Sequence, residues 1–276
     1  DVRDADSLNE AIAGAEVVFH LAAVISIAGG RQGELDAVNV TGVRNIVEAC
    51  VRNGVARLVH FSSVHAFDLA KNKNPITESS PLAGPEANRY DRSKALGFLE
   101  VMKGADRGLN DSIVHPSGII GPEDAGPSFI GQSLIRMFRG SIPAPVGGGF
   151  DWVDVRDVVA GALGVEREGR RGENYILSGH YRSCRDLVRT AAALSGRKVP
   201  GIVVPRWIAA LGIPLGAVYA RMTGKQHLLT REALQSLGAN PAMLHEKATT
   251  EFGYHPRPFE DTLEASYRWF LDHGYL

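Results

Sequence analysis

The order of apolar runs in this sequence predicts an α/β fold, a doubly wound parallel sheet with a smaller, mostly helical second lobe. Two observations predict it. Residues 16–23 (EVVFHLAA), 57–62 (RLVHFS) and 111–115 (DSIVH) have the length and β-branched or aromatic content of buried parallel strands. Residues 36–53 and 90–103 lie between them and carry apolar side chains at helical spacing. Strand, helix, strand, helix, strand is the βαβ pattern, which covers both faces of a parallel sheet and places ligands beyond the carboxyl ends of the strands.

Taken in order, Ser7-Leu8-Asn9-Glu10 reads as a capping box opening a short helix that stops at Gly14. The run 16–23 is the first strand. The helix over 36–53 shows Val40, Val43, Val47, Cys50 and Val51 on one face and is stopped by Gly54. The strand 57–62 follows. Residues 71–88, rich in Pro, Asn and Gly, form a loop leading to a helix from Tyr90 to about Lys103. After the strand 111–115, glycines and prolines loosen residues 119–150 around one helix, 128–139. Residues 152–165 return to helical periodicity, 174–177 (NYIL) is a last strand, and the chain from Ser183 onward is mostly helical. Gly29-Gly30 and Gly147-Gly148-Gly149 read as flexible loops.

Composition removes several classes of function. A net charge of −1 without a Lys/Arg run argues against a nucleic-acid partner. Two cysteines, Cys50 and Cys184, are too few for a disulfide framework or a zinc site, and Cys50 is expected in the core. No signal peptide opens the chain, so the expected location is cytoplasmic. The apolar stretch 207–220 (WIAALGIPLGAVYA) is too short to span a bilayer, is broken by Pro214, and is flanked by Arg206 and Arg221. It reads as a packing or lid element of the second lobe, with an interfacial membrane contact as the alternative.

The candidate site gathers at three strand ends: His20-Leu21-Ala22-Ala23, Phe61-Ser62-Ser63 and His115-Pro116-Ser117. Tyr90 and Lys94 lie on the crossover helix between the last two. Residues four apart share a helix face, so phenol and ammonium can enter one site. A fixed cation beside a phenol is expected to lower its pKa from about 10. Taken alone, the pair is also what a solvated helix face supplies.

These residues, in this order, resemble the extended short-chain dehydrogenase/reductase family, the NAD-dependent epimerase/dehydratase and dihydroflavonol-4-reductase-like proteins. The resemblance runs the length of the chain. Asp1-Val2 resembles the end of the family's third strand, beside adenine, and Leu21-Ala22-Ala23 the strand end along the cofactor's phosphates and ribose. Asn39 is similar to the structural helix asparagine, and Ser62-Ser63 to the Ser/Thr position. Tyr90 and Lys94 are similar to the signature pair, residues 116–122 (PSGIIGP) to the loop that passes the nicotinamide, and residues 153–158 (VDVRDV) to the helix start after the substrate loop. The resemblance implies a Rossmann-like fold, NAD or NADP as cofactor, and catalytic roles for Ser63, Tyr90 and Lys94. It implies cofactor contacts from Asp1, Val2, Leu21, Ala22, Ala23, Ser62, Tyr90, Lys94, Pro116 and Gly118. The dinucleotide-binding domain is then 1–116 with 151–178, and the substrate-binding lobe 117–150 with 179–276.

The sequence departs from the family in two places. No Gly-x-x-Gly-x-x-Gly precedes residue 20, so the first βαβ, with its pyrophosphate-binding turn, is expected upstream of Asp1, over roughly 60 residues. That segment would also separate NAD from NADP. Dehydratases of the family carry Asp-Glu directly after the catalytic Ser/Thr. Here Val64-His65 stand there, which disfavours dehydration, and His65 reads as either a substrate contact or a hydrated surface residue.

The expected function is an oxidoreductase moving a hydride to or from a carbonyl or secondary alcohol of a small molecule. A nucleotide-sugar epimerase is the runner-up, for which Arg136, Arg139, Arg206 and Arg221 are available cations. A non-catalytic dinucleotide-binding module is the alternative of another class. The resemblance also implies a homodimer through the Tyr90 helix, whose Ala95, Phe98, Leu99 and Met102 form a second apolar face. No integral membrane span is expected.

Overall fold

The computed structural model describes residues 1–25, 33–214, 230–239 and 242–276. They form two compact units, 1–117 with 158–178 and 243–255, and 118–157 with 179–242 and 256–276.

The first unit is built on four parallel strands, β1 (Val17–His20), β2 (Arg57–Phe61), β3 (Asp111–Pro116) and a later strand, Glu173–Leu177, in the order β1-β2-β3-Glu173–Leu177. Register pairs His20 with His60, His60 with Ile113, and Pro116 with Leu177. Every residue of β3 is buried, as a central parallel strand requires. β1 is the edge strand of the described sheet, with Val17 and Phe19 exposed.

Helix α1 (Ala5–Ile12) is capped by Asp4, whose carboxylate accepts the Asp6 and Ser7 N–H groups. Asp4 therefore replaces the expected Ser7 cap, because a carboxylate facing two orphan N–H groups opens the helix three residues earlier. The long helical stretch from residue 34 to 53 comprises α2 (Glu34–Asp36), a π-helical segment Ala37–Gly42, and α3 (Val43–Asn53), ending at Gly54 in the left-handed region. α4 (Arg89–Asp106) packs on α3 and on the π segment. Gly97 permits this approach, since a Cβ there would lie 2.5 Å from the Asn39 carbonyl oxygen. Leu8, Ile46, Val47, Cys50, Leu58, Val101 and Ile113 close the core between these helices and the sheet. Phe98 and Met102 pack against the same core and Ala95 is buried, leaving only Leu99 of the proposed dimer face exposed.

The second unit contains a small sheet that periodicity did not signal: β4 (Gly118–Ile120), β5 (Gly149–Asp154) and a strand His180–Ser183, which pairs antiparallel with β5. In chain order Glu173–Leu177 is β6 and His180–Ser183 is β7. Residues 151–157 thus fall with the second unit, because β5 pairs with β4 and β7 and not with the main sheet. Residues 243–255 fall with the first, where the helix Glu246–Phe252 packs on β6. The helical reading of 152–154 fails for the same reason, and α6 starts at Val155 (Val155–Glu168). Gly147-Gly148-Gly149 is no flexible loop. Gly148 has φ +112, a Cβ there would meet the Leu237 oxygen at 2.1 Å, and Gly149 opens β5.

Helices α5 (Phe129–Phe138), α7 (Cys184–Ser195) and the C-terminal Phe259–Asp272 surround a core of Leu134, Phe138, Leu187, Phe259, Leu263 and Phe270. The short helix α8 (Arg206–Leu211) buries only Ala209, while Trp207, Ile208 and Leu211 are exposed. The packing role expected for 207–220 therefore fails over its first part, because one small side chain suffices to seat the helix. Residues 215–220, Arg221 and Gly29-Gly30 lie outside the described residues. Among the described residues no helix is long and apolar enough to cross a membrane, and no cluster of His, Cys, Asp or Glu could hold a metal ion.

Candidate active site

β2 ends at Phe61, and Ser62-Ser63 follow into a 3-10 turn, Val64–Ala66. Ser63 is extended and caps this turn, its Oγ accepting the His65 N–H at 3.2 Å. α4 opens with Asn88 as cap, its side chain accepting the Asp91 N–H at 3.0 Å. That cap places Tyr90 in the first turn and Lys94 one turn further on. Between them Ser93 is fully buried and donates to the Tyr90 carbonyl at 2.8 Å.

The structure brings the Ser63 hydroxyl close to the Tyr90 phenol. Burial pushes the Tyr90 phenol up to about 12; the Ser63 hydroxyl opposes that shift and the Asp91 charge adds to it. The expected lowering by Lys94 is overturned in this arrangement, because desolvation of the phenolate outweighs any attraction from the ammonium. Lys94 is itself buried, its Nζ 3.5 Å from the Phe61 carbonyl, and burial lowers it to about 8.

His65 is neither a hydrated surface residue nor isolated. Its Nδ1 lies 2.8 Å from Asp91 Oδ1, both side chains are largely buried, and its ring meets Tyr90 edge-on at 5.5 Å. Asn88 Nδ2 donates to the second Asp91 oxygen at 2.7 Å. The turn after β2 and the first turn of α4 are thereby tied by polar bonds at the height of the Ser63–Tyr90 contact. The sequence marks His65 as a candidate contact, but its pairing with Asp91 across 26 positions has no sequence signal.

A second feature was not anticipated. Three buried histidines lie side by side on β1, β2 and β3. His20 Nδ1 and His60 Nδ1 are 2.9 Å apart, and His115 Nδ1 lies 3.1 Å from the Ser63 carbonyl, its ring against Phe67 and Phe98. Burial, helped by the Lys94 charge, lowers His20 to about 4 and His115 to about 3, and lowers His60 in the same direction. All three are neutral at pH 7, and the positive charge acting on them comes from Lys94, joined at His115 by Lys247.

The remaining predicted residues divide. Leu21 and Ala22 are exposed just past β1, and the next turn is held by Asn39, which accepts the Val24 N–H at 2.8 Å and donates to its carbonyl at 2.9 Å and to Ser93 at 3.0 Å. Ala23 lies half-buried between them. Asp1 and Val2 lie in a turn and not a strand. The Asp1 carboxylate is taken by Arg3, and Val2 packs on α3 with its carbonyl accepting from Asn45. Pro116 closes β3. Gly118 belongs to the second unit, where a Cβ would press on Phe150 and Trp152 at 2.9 Å, so packing explains that glycine. The hydroxyls of Ser62 and Ser117, at the ends of β2 and β3, are buried with no partner among the described residues. Unspent hydrogen-bonding groups at adjacent strand ends beside a buried Lys fit the ribose–nicotinamide half of a dinucleotide.

The second unit holds its own cavity of about 270 Å³, lined by Ile119, Ile120, Pro122, Ile130, Leu134 and Val155, with Glu123 and Asp124 the charged residues of its wall.

Parallel sheet, strand-end hydroxyls and a Tyr-x-x-x-Lys helix define the class: a nicotinamide-dependent α/β enzyme. Comparison with known proteins agrees. Residues 1–137 match the 3-beta hydroxysteroid dehydrogenase/isomerase family. Sterol demethylase protein B of Methylococcus capsulatus is 31% identical over all of this chain and 85% of its own length. The crystal structure of gox2253 shares 31% identity and a TM-score of 0.82, covering 100% of this chain and 84% of that one. A dTDP-glucose 4,6-dehydratase from Streptomyces venezuelae, solved with NAD bound, superposes with a TM-score of 0.77 at 24% identity over 99% and 78% of the two chains, a likeness of fold. The chain belongs to the 3-beta hydroxysteroid dehydrogenase/isomerase family, within the NAD(P)-dependent extended short-chain dehydrogenase/reductases.

Proposed function

We propose that this protein interconverts a secondary alcohol and a ketone on an apolar, sterol-like substrate. The observation that carries the reading is the approach of the Ser63 hydroxyl to the buried Tyr90 phenol, with the buried Lys94 one turn along the same helix. Ser62, Ser117, Lys94 and the strand end Leu21-Ala22 would hold the nicotinamide half of NAD or NADP. When bound, that cofactor supplies the hydride donor or acceptor. The chain's own residues manage the oxygen. Ser63 orients the substrate oxygen and stabilises charge that develops there. Tyr90, protonated at neutral pH because burial raises it, donates its phenolic proton to that oxygen as a ketone is reduced, and takes it back in oxidation. Lys94 holds positive charge beneath the site.

Two observations favour an apolar substrate over a nucleotide sugar. The cavity of the second unit is walled by aliphatic side chains, and its charged residues, Glu123 and Asp124, would repel a diphosphate. Several similar proteins are named for sterol or steroid chemistry.

Incubation with NADH or NADPH and either a 3-ketosteroid or a UDP-sugar separates the readings. Net cofactor consumption with the ketone is expected, falling by at least about 100-fold in Tyr90→Phe. Near-normal turnover by Tyr90→Phe would remove the assignment. Product from the sugar without net cofactor consumption would make the enzyme an epimerase, and cofactor binding without turnover of either substrate a binding module.

A further inference from the structure

We propose that His65 and Asp91 are a positioning pair, holding the Tyr90 phenol and the Ser63 hydroxyl on one substrate oxygen. The role rests on the reaction proposed for Ser63 and Tyr90 and adds two residues to it. One short turn carries both Ser63 and His65. Ser63 is extended at the head of the Val64–Ala66 turn, and its Oγ accepts the His65 N–H at 3.2 Å. A hydroxyl that accepts there keeps its own O–H to donate. The place of His65 therefore bears on the direction in which Ser63 donates.

Asp91 follows Tyr90 in the first turn of α4, and both of its carboxylate oxygens are engaged. Oδ1 lies 2.8 Å from His65 Nδ1, and Oδ2 accepts from Asn88 Nδ2 at 2.7 Å. The Asp91 N–H returns to Asn88 Oδ1 at 3.0 Å, closing a ring of bonds around the helix start. An ionised carboxylate only accepts, so Nδ1 carries the proton, which fixes both the tautomer and the orientation of the imidazole. The His65 and Asp91 side chains are 18% and 17% exposed, sheltered enough for this charge-assisted bond to outweigh one on open surface.

The oriented imidazole meets the Tyr90 ring edge-on, with centroids 5.5 Å apart and planes at 62°. Helix α4 places the Tyr90 backbone but leaves its side chain a choice of staggered rotamers. The imidazole closes one direction of movement, on the side where the Ser63 turn lies. The pair is not needed to dock the helix, because Ser93 bonds Asn39 at 3.0 Å and Val101 sits in the core between α4, α3 and the sheet. What the pair holds is local: the first turn of α4 against the turn that carries Ser63. A displacement of about 1 Å at reacting groups can cost about 100-fold in rate, so a local brace at this point has a catalytic effect. Asp91 also favours the protonated phenol, the form that donates to a ketone.

His65→Ala, His65→Asn and Asp91→Ala are compared with wild type, with thermal melting as the control for folding. His65→Ala is expected to lower kcat by about 10- to 100-fold while KM and the cofactor Kd stay within about twofold. His65→Asn places an amide N–H where Nδ1 stood and is expected to recover most of that rate. Asp91→Ala is expected to match His65→Ala, and the double variant to be no slower than either, since one pair is lost once. In a Tyr90→Phe background His65→Ala is expected to cost nothing further, because it acts through the phenol. The substrate is whichever of the 3-ketosteroid and the UDP-sugar the wild type turns over, since Tyr90 and Ser63 serve either reaction. Crystal structures of wild type and His65→Ala need no substrate, and the Tyr90 phenol is expected to move away from the Ser63 hydroxyl in the variant. Wild-type kcat in His65→Ala, or an equal loss with Tyr90 and with Phe at that position, would overturn the proposal. So would a Tyr90 ring that superposes in the two crystal structures. A wild type that turns over neither substrate removes the proposed function, and the crystallographic comparison then decides the role of the pair.

Discussion

Acidification tests the histidine layer beneath Tyr90 and Lys94. A histidine with an ordinary pKa of 6.5 is almost fully protonated at pH 5 in the unfolded chain, whereas His20 at about 4 and His115 at about 3 stay neutral in the folded one. The folded values are depressed, so the unfolded state binds more protons below pH 6.5 and stability falls as pH drops through that value. Each of the two costs about 2 kcal/mol at pH 5 relative to pH 7.5. Buried Asp111 acts in the opposite sense. Burial raises it to about 6, so the folded chain takes up that proton first and regains about 1.4 kcal/mol by pH 5. The net expected loss is about 3 kcal/mol, with His60 adding in the same direction. The perturbation is His115→Phe, which sets a third ring against Phe67 and Phe98, gives up one hydrogen bond to Ser63 and removes one titrating group. Urea unfolding followed by circular dichroism at pH 7.5, 6 and 5 measures the effect. The variant's loss between pH 7.5 and 5 is expected to be about 2 kcal/mol smaller than that of the wild type. An identical pH dependence in variant and wild type would refute the reasoning, since His115 would then not be buried neutral.

Two further outcomes follow from packing around the π segment. Gly97→Ala puts a methyl against the Asn39 carbonyl, and despite alanine's better helix propensity it is expected to destabilise by about 1–3 kcal/mol, read as a lowered Tm. Asn39→Ala strands both polar groups of Val24 and releases Ser93. It is expected to cost about 2 kcal/mol and to speed amide exchange at Val24, while exchange in β3 stays slow. Unchanged exchange at Val24 would show that the asparagine does not hold the strand-end turn.

The sequence was most readable where a pattern repeats over short range. The runs around Val18, Val59 and Ile113 are strands because both faces of a parallel strand must be apolar, and helix α3 stops at Gly54 because the left-handed turn there suits glycine. Tyr90 and Lys94 share a face by helical geometry alone, and Ser63 follows its strand, so these three candidates were legible before their surroundings were. The second unit was less readable. β4, β5 and β7 are three to six residues long, too short for periodicity to separate them from loop or helix, and their pairing is non-local.

What sequence alone determined is therefore the fold class, from spacing along single elements, and the family, from motifs in order along the chain. Tertiary structure decided the environment of the candidate residues. Burial, which has no linear signature, raises Tyr90, lowers Lys94 and keeps three histidines neutral. The close approach of α4 to the turn after β2 pairs His65 with Asp91. The shallow seating of α8 turns Trp207 and Leu211 outward, where their hydrophobicity alone would have placed them inside.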